Sequence, residues 1–367
     1  MNSANTLTKT ADGRAAPERA MAKPRRDDKA MLRAAADLTR DLNSPNTRIF
    51  WSDLLASATL GYGALATAIL AASWPVTLVA AIVAILALYR AGSFIHELTH
   101  INRGALPGFK FGWNLLVGIP LLVPSFLYEG VHNLHHAKIR YGTVEDPEYL
   151  PLALMKPWTL PLFVVAAALA PVAMIVRFAV LAPLSLLSPK LRTLVVGRYS
   201  GLQINPAFRR RPAEGELARQ WRWQEGAASL WAIALIAMVA GGVIPLRAFA
   251  IFLGVASGVM LLNQVRTLVA HLWENEGEEM SVTEQYLDSV NVPPPGMLAA
   301  LWAPVGLRYH ALHHLLPGLP YHALGEAHRR ICAELEPTSA YHSASYKGLL
   351  PLARRLAVSS WRGGRRG

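Results

Sequence analysis

The sequence predicts an all-α integral membrane protein: about four transmembrane helices in two hairpins, re-entrant or interfacial helices between them, and a cytosolic histidine-rich cap. Three observations carry this expectation. Of 367 residues, 53% are apolar and only 16% charged, against about 25% charged in an ordinary soluble domain. Leu54 to Tyr89 contains no Asp, Glu, Lys or Arg. Eight of the 12 histidines fall in three five-residue windows beside apolar runs. The single cysteine, Cys332, excludes a disulfide framework and a cysteine-bound cluster.

The elements follow in order. Leu54 to Tyr89 exceeds the roughly 20 residues of one span, so it reads as a hairpin. Its break falls at Ser73-Trp74-Pro75, where proline opens a new helix, and the second helix runs on through Arg90 to His100. Phe111 to Tyr128 and Pro157 to Val176 are also uncharged, but Pro120, Pro124, Pro161 and Pro171 interrupt them. They read as re-entrant or interfacial pieces, which survive where protein shields the backbone. Gly226 to Leu246 and Ala248 to Val265 form the second hairpin, turning at Pro245-Leu246-Arg247.

Charge sets the expected sidedness. Lys190, Arg192, Arg198, Arg209, Arg210, Arg211, Arg219 and Arg222 precede the second hairpin. The positive-inside tendency puts them in the cytoplasm, with both termini and all three histidine windows. Most of the net +12 lies in two tails, the last of which holds five arginines and no acid between Pro351 and Gly367. Basic tails beside apolar spans mark a membrane side rather than nucleic-acid binding. Residues 1–48 read as a disordered basic cytosolic arm without a secretory signal, 49–331 as the membrane domain, and 332–367 as a basic C-terminal tail. A bacterial inner membrane is the expected location.

His96-Glu97-Leu98-Thr99-His100 places two imidazoles at i and i+4, on one helix face. His132-Asn133-Leu134-His135-His136 and His310-Ala311-Leu312-His313-His314 each add three, and His271 is a ninth candidate beyond the last span. Imidazole suits several transition metals, but eight or nine are too many for one ion and suit two. His322, His328 and His342 lie in polar or Tyr-flanked sequence and read as surface or structural residues. Glu97, Asp146, Glu148 and Glu274 are candidates to orient imidazole ligands. Arg266 and Asn263 are candidate functional polar groups at the end of the last span, although Arg266 serves equally as a snorkelling side chain.

These three windows resemble the histidine boxes HxxxH, HxxHH and HxxHH of the membrane fatty acid desaturase and hydroxylase superfamily. Tyr141-Gly142-Thr143 with Asp146-Pro147-Glu148, and Leu319-Pro320-Tyr321-His322, are similar to stretches of its bacterial members. The resemblance covers about Leu54 to Ile331. It implies two non-haem irons held by His96, His100, His132, His135, His136, His271, His310, His313 and His314, with dioxygen as co-substrate. Some relatives carry an asparagine one helical turn before the ninth histidine, where this chain has Thr267. The implied activity is desaturation of a fatty acyl or other lipid chain, because desaturases share this box pattern most widely; hydroxylation on the same scaffold is the alternative. The substrate is a lipid or acyl thioester, and electrons come from a separate ferredoxin or cytochrome with its reductase.

Two other readings compete. His96-Glu97 with His100 also satisfies the zinc-protease pattern HExxH, which needs a further ligand, for which Leu287-Asp288-Ser289 is the nearest candidate motif, and leaves two clusters without a role. A histidine-rich metal transporter would place ionisable groups within its spans, yet the first hairpin holds only Ser, Thr and Tyr as polar residues.

Overall fold

A computed structural model describes residues 27–102, 104–296 and 298–363. They are helical, and only isolated β-bridges join extended segments among them. Helix α1 (Lys29–Leu38) is followed by the hairpin α2 (Thr47–Leu70) and α3 (Trp74–His100). Ser73 stands in extended conformation just before α3, with proline in the helix's first turn, so the chain breaks where the sequence indicates and then runs unbroken to the first histidine window. The two helices pack closely because small residues line the seam: Ala58, Ala84, Ala87 and Ala91 are buried there, and Gly61 lies against Leu88.

Residues 109–127 enter the bundle and return. Tyr62, midway along α2, donates to the Leu116 carbonyl (2.8 Å), and the Trp231 indole donates to the Pro120 carbonyl (3.1 Å). Polar side chains satisfy the non-helical backbone: Asn114 Oδ1 accepts from Ser125 N–H (2.8 Å), and Gln224 Oε1 from Phe126 N–H (2.9 Å). Buried by protein, such a dip is stable in a membrane. The segment ends at Tyr128, one turn before α4 (His132–His135).

The other proline-containing segment differs from expectation in its continuity. Residues Thr159–Ser185, here α5, form one continuous helical stretch long and apolar enough to cross a membrane by length and composition; five such helices occur among the described residues. Prolines 161, 171 and 183 are absorbed by local tightening and widening of the helix rather than by breaks. Its contacts nevertheless tie both ends to the histidine-bearing face. Phe163 meets Trp273 (ring centroids 6.4 Å), Ala168 accepts from Ser257 (2.8 Å), and Arg177 returns to Glu225 (2.5 Å).

Then come α6 (Pro189–Tyr199) and the hairpin α7 (Gly215–Ala240) and α8 (Leu246–Leu268). Arg247 donates to the Ala71 carbonyl (2.9 Å), so both hairpin turns share one end, opposite the histidines. The cap is built from α9 (Val282–Asp288), α10 (His310–Leu315), α11 (Leu324–Glu334) and α12 (Leu349–Gly363).

Both terminal segments are helical and packed where they are described, the first of them in a stretch read from sequence as disordered. Asp28 caps α1, whose Met31 and Ala35 are buried against α11. Its apolar face supplies the burial that a disordered arm lacks. Residues 1–26 lie outside the described residues. Helix α12 likewise buries Leu352, Leu356 and Ser360 against the cap and the 150–155 loop.

Candidate metal centre

All nine predicted histidines meet in one layer between the membrane helices and the cap, buried apart from the half-buried His100 and His136, and divided into two groups. His96, His100, His132, His136 and His313 form one; His135, His271, His310 and His314 form the other. Within each, one nitrogen per ring lies within 4.8 Å of every other.

Each contributing element explains its share. Helix α3 continues past its apolar run, so His96 and His100 stack one turn apart on the face towards the cap. Helix α4 has the same i, i+4 relation between His132 and His136, and sends His135 to the second group. Helix α10 divides likewise: His313 joins the first group, His310 and His314 the second. His271 lies three residues beyond α8, in the turn paired with Ser289.

The spacing suits metal binding. His132 and His136 Nε2 atoms are 3.0 Å apart, His313 Nε2 is 3.2 Å from both His100 and His136, and His310 Nε2 is 3.0 Å from His271 and 3.2 Å from His314. Two nitrogens each ~2.1 Å from one ion at about 90° would be ~3.0 Å apart. His96 is buried with neither ring nitrogen hydrogen-bonded, a costly state that a metal on one nitrogen relieves. The donor set therefore fits two metal ions.

The outward nitrogens are held by acids and hydroxyls. Asp146 lies 2.9 Å from His135 Nδ1 and also accepts from Gly142 and Glu148 N–H, each at 2.8 Å. Gly142 permits this turn: its φ is +72°, and a Cβ there would sit 2.6 Å from Asn275. Glu148 and the Tyr128 hydroxyl reach His132 Nδ1 at 3.1 and 2.9 Å. Tyr141 lies 2.8 Å from His271 Nδ1 and donates to Asp288 (2.8 Å). Arg266 donates to His310 Nδ1 (2.9 Å).

Electrostatics favour the neutral ligand form. Burial, reinforced by the neighbouring imidazoles and, at His271 and His310, by Arg266, holds His132, His136, His271, His310, His313 and His314 well below the ordinary imidazole pKa. His135 differs: burial pulls it down, but Asp146 outweighs that and raises it. A proton on Nδ1 facing Asp146 leaves Nε2 for a metal. Burial also lifts Glu148 to about 7.

Not every polar candidate reaches the centre. Glu274 pairs with Arg355 (3.3 Å) instead; Asp288, at the end of α9, is the acid behind His271. Asn263 is exposed and Thr267 caps its carbonyl (2.9 Å), whereas Arg266 points inward and is buried, so it does not snorkel. Glu97 accepts from Tyr321 N–H (2.9 Å) and positions the cap loop. Sequence reading missed Trp273, fully buried 5.0 Å from His271 with φ +60°. Only its place two residues after His271 hinted at this. His328 is buried and bonded to Tyr341, and His322 accepts from Asn46 N–H, both structural.

A family model described as Fatty acid desaturase matches residues 72–346. The chain belongs to the fatty acid desaturase family. It is also 51% identical over 322 residues to a ceramide hydroxylase of Caulobacter vibrioides strain NA1000 / CB15N, covering 88% of this chain and 92% of that one. No solved structure matches. With this membership, the chain is an integral membrane oxidoreductase of the desaturase and hydroxylase superfamily. The protease reading loses its footing: His96 and His100 group with three further histidines, and Asp288 serves the other group.

Proposed function

We propose that this chain is a dioxygen-dependent lipid hydroxylase acting on ceramide or a closely related sphingolipid, through two non-haem irons held by the nine histidines. The observation that carries it is the five-and-four division of buried imidazoles, in a chain 51% identical to a ceramide hydroxylase over most of its length. Desaturation, which the box pattern favours, gives way to hydroxylation on that likeness.

Bound irons would activate dioxygen to attack an unactivated alkyl carbon. The chain's own residues do the rest. Nine imidazoles supply neutral donors, Asp146 and Glu148 set which ring nitrogen keeps its proton, and the apolar helices beside the layer keep water from the lipid. Hydroxylation puts one oxygen atom into a C–H bond and sends the other to water, consuming two electrons and two protons. The electrons come from a separate ferredoxin or cytochrome with its reductase. The basic stretch 189–222 supports a cytoplasmic histidine face by the positive-inside tendency, in a bacterial inner membrane.

Expression with a compatible donor in an aerobic, ceramide-containing host tests the reaction. Ceramide heavier by about 16 mass units, formed only with dioxygen, is the expected product. Lipid lighter by two mass units would return the assignment to desaturase.

A further inference from the structure

Away from the histidines, the ends of α5, α6 and α7 enclose a cavity of about 630 Å³, within the usual range for ligand sites. Its wall is mostly apolar: Ala182 and Pro183 from α5 and Leu186 just past its end, Val196 from α6, Ala218 and Trp221 from α7. Leu186 and nearby Leu230 are 78% and 71% exposed. Large apolar side chains so exposed beside a membrane helix face lipid.

Its polar side is basic. Glu225 is shared by Arg177 (2.5 Å) and Arg192 (2.7 Å), one carboxylate between two guanidiniums. Arg210 covers the Trp221 ring at 4.1 Å. Arg222 stands at the rim with no ion pair among the described residues. Two donors remain unspent: the Trp221 indole N–H, on a residue 5% exposed, and the Ser229 hydroxyl are buried without a hydrogen-bond partner. Buried donors normally find an acceptor.

We propose that this cavity binds an anionic phospholipid of the surrounding bilayer. The phosphate is held at Arg222 and Arg192, an oxygen of the lipid accepts from Trp221, and an acyl chain lies along Ala182, Pro183 and Leu186. An excess of guanidinium selects an anion, unspent donors call for an acceptor, and exposed leucines call for a chain. One lipid supplies all three. None of the lining residues touches the nine histidines, so the site is separate from the reaction centre and independent of the proposed substrate.

Fluorescence quenching in nanodiscs of the full-length protein tests this. Phosphatidylglycerol brominated in one chain should quench wild type more than brominated phosphatidylcholine does. Trp221→Phe should lose that difference. Arg222→Gln, at the exposed rim, should weaken the phosphatidylglycerol response roughly five-fold, the effect of one basic side chain at an anionic surface, while iron content stays unchanged. Equal quenching by both phospholipids would overturn the proposal. So would stronger quenching by brominated ceramide, which would make the cavity a substrate chamber, or displacement of the effect by millimolar inorganic phosphate, which would make it a soluble-anion site.

Discussion

The carboxylate of Asp146 lies 2.9 Å from Nδ1 of His135, and both are sealed from solvent. The pair joins the loop after α4 to the four-histidine group, and Asp146 meanwhile ties down two backbone amides of that loop.

Asp146→Asn removes the charge that holds the Nδ1 proton. Metal affinity or turnover should fall about 10–100-fold, with the protein still in the membrane fraction. His135→Ala should lower iron at least as far. Iron per chain by elemental analysis, beside turnover, checks both. Full iron loading in Asp146→Asn would leave the pair only a loop anchor.

Acid sensitivity should arise partly outside the centre. Burial, then His342 and Arg308, lowers His328 to about 4. The unfolded chain takes that proton near the ordinary value of about 6.5, and the folded chain refuses it. His328 therefore costs no stability above about pH 6.5 and costs progressively more as pH falls towards 4. His328→Gln should flatten the fall of the thermal midpoint across that window and change little at pH 8. An unchanged slope would count against it.

Packing of α2 on α3 makes a paired test. A Cβ on Gly61 would stand 2.6 Å from Leu88, while Gly63 has nothing within 4 Å. Gly61→Ala should destabilise by about 1–3 kcal/mol through overpacking. Gly63→Ala should be neutral or stabilise by up to ~1 kcal/mol, since alanine is the better helix former. Thermal midpoints in one detergent should separate the two.

The hairpin turn at Trp74 and the second histidine window lie at opposite ends of the membrane helices. Trp74 and Val144 are 79% and 80% exposed, at the hairpin turn and beside the second histidine window. With Cys332→Ser as background, Trp74→Cys should react with an impermeant maleimide on intact cells. Val144→Cys should react only after permeabilisation. Labelling of Val144→Cys from outside would invert the orientation.

The residues alone determined the class, the hairpins and the nine histidines, because these depend on local rules. Uncharged length makes a span, proline after serine starts a helix, and i, i+4 histidines share a face whatever surrounds them. Only the tertiary structure decided which histidine joins which group, since α4 and α10 each send rings to both. It also decided which acids serve them. Glu274 was the acid that the sequence put forward for that role and Asp288 was not, but the cap turns Glu274 towards Arg355 and Asp288 towards Tyr141. Helical order in the two tails was hidden for the same reason: Met31 and Leu356 acquire a partner surface only when the cap assembles. Such contacts join residues far apart in the chain, 81 positions for Glu274 and Arg355 and 147 for Tyr141 and Asp288, and a pattern confined to neighbouring residues carries no record of them.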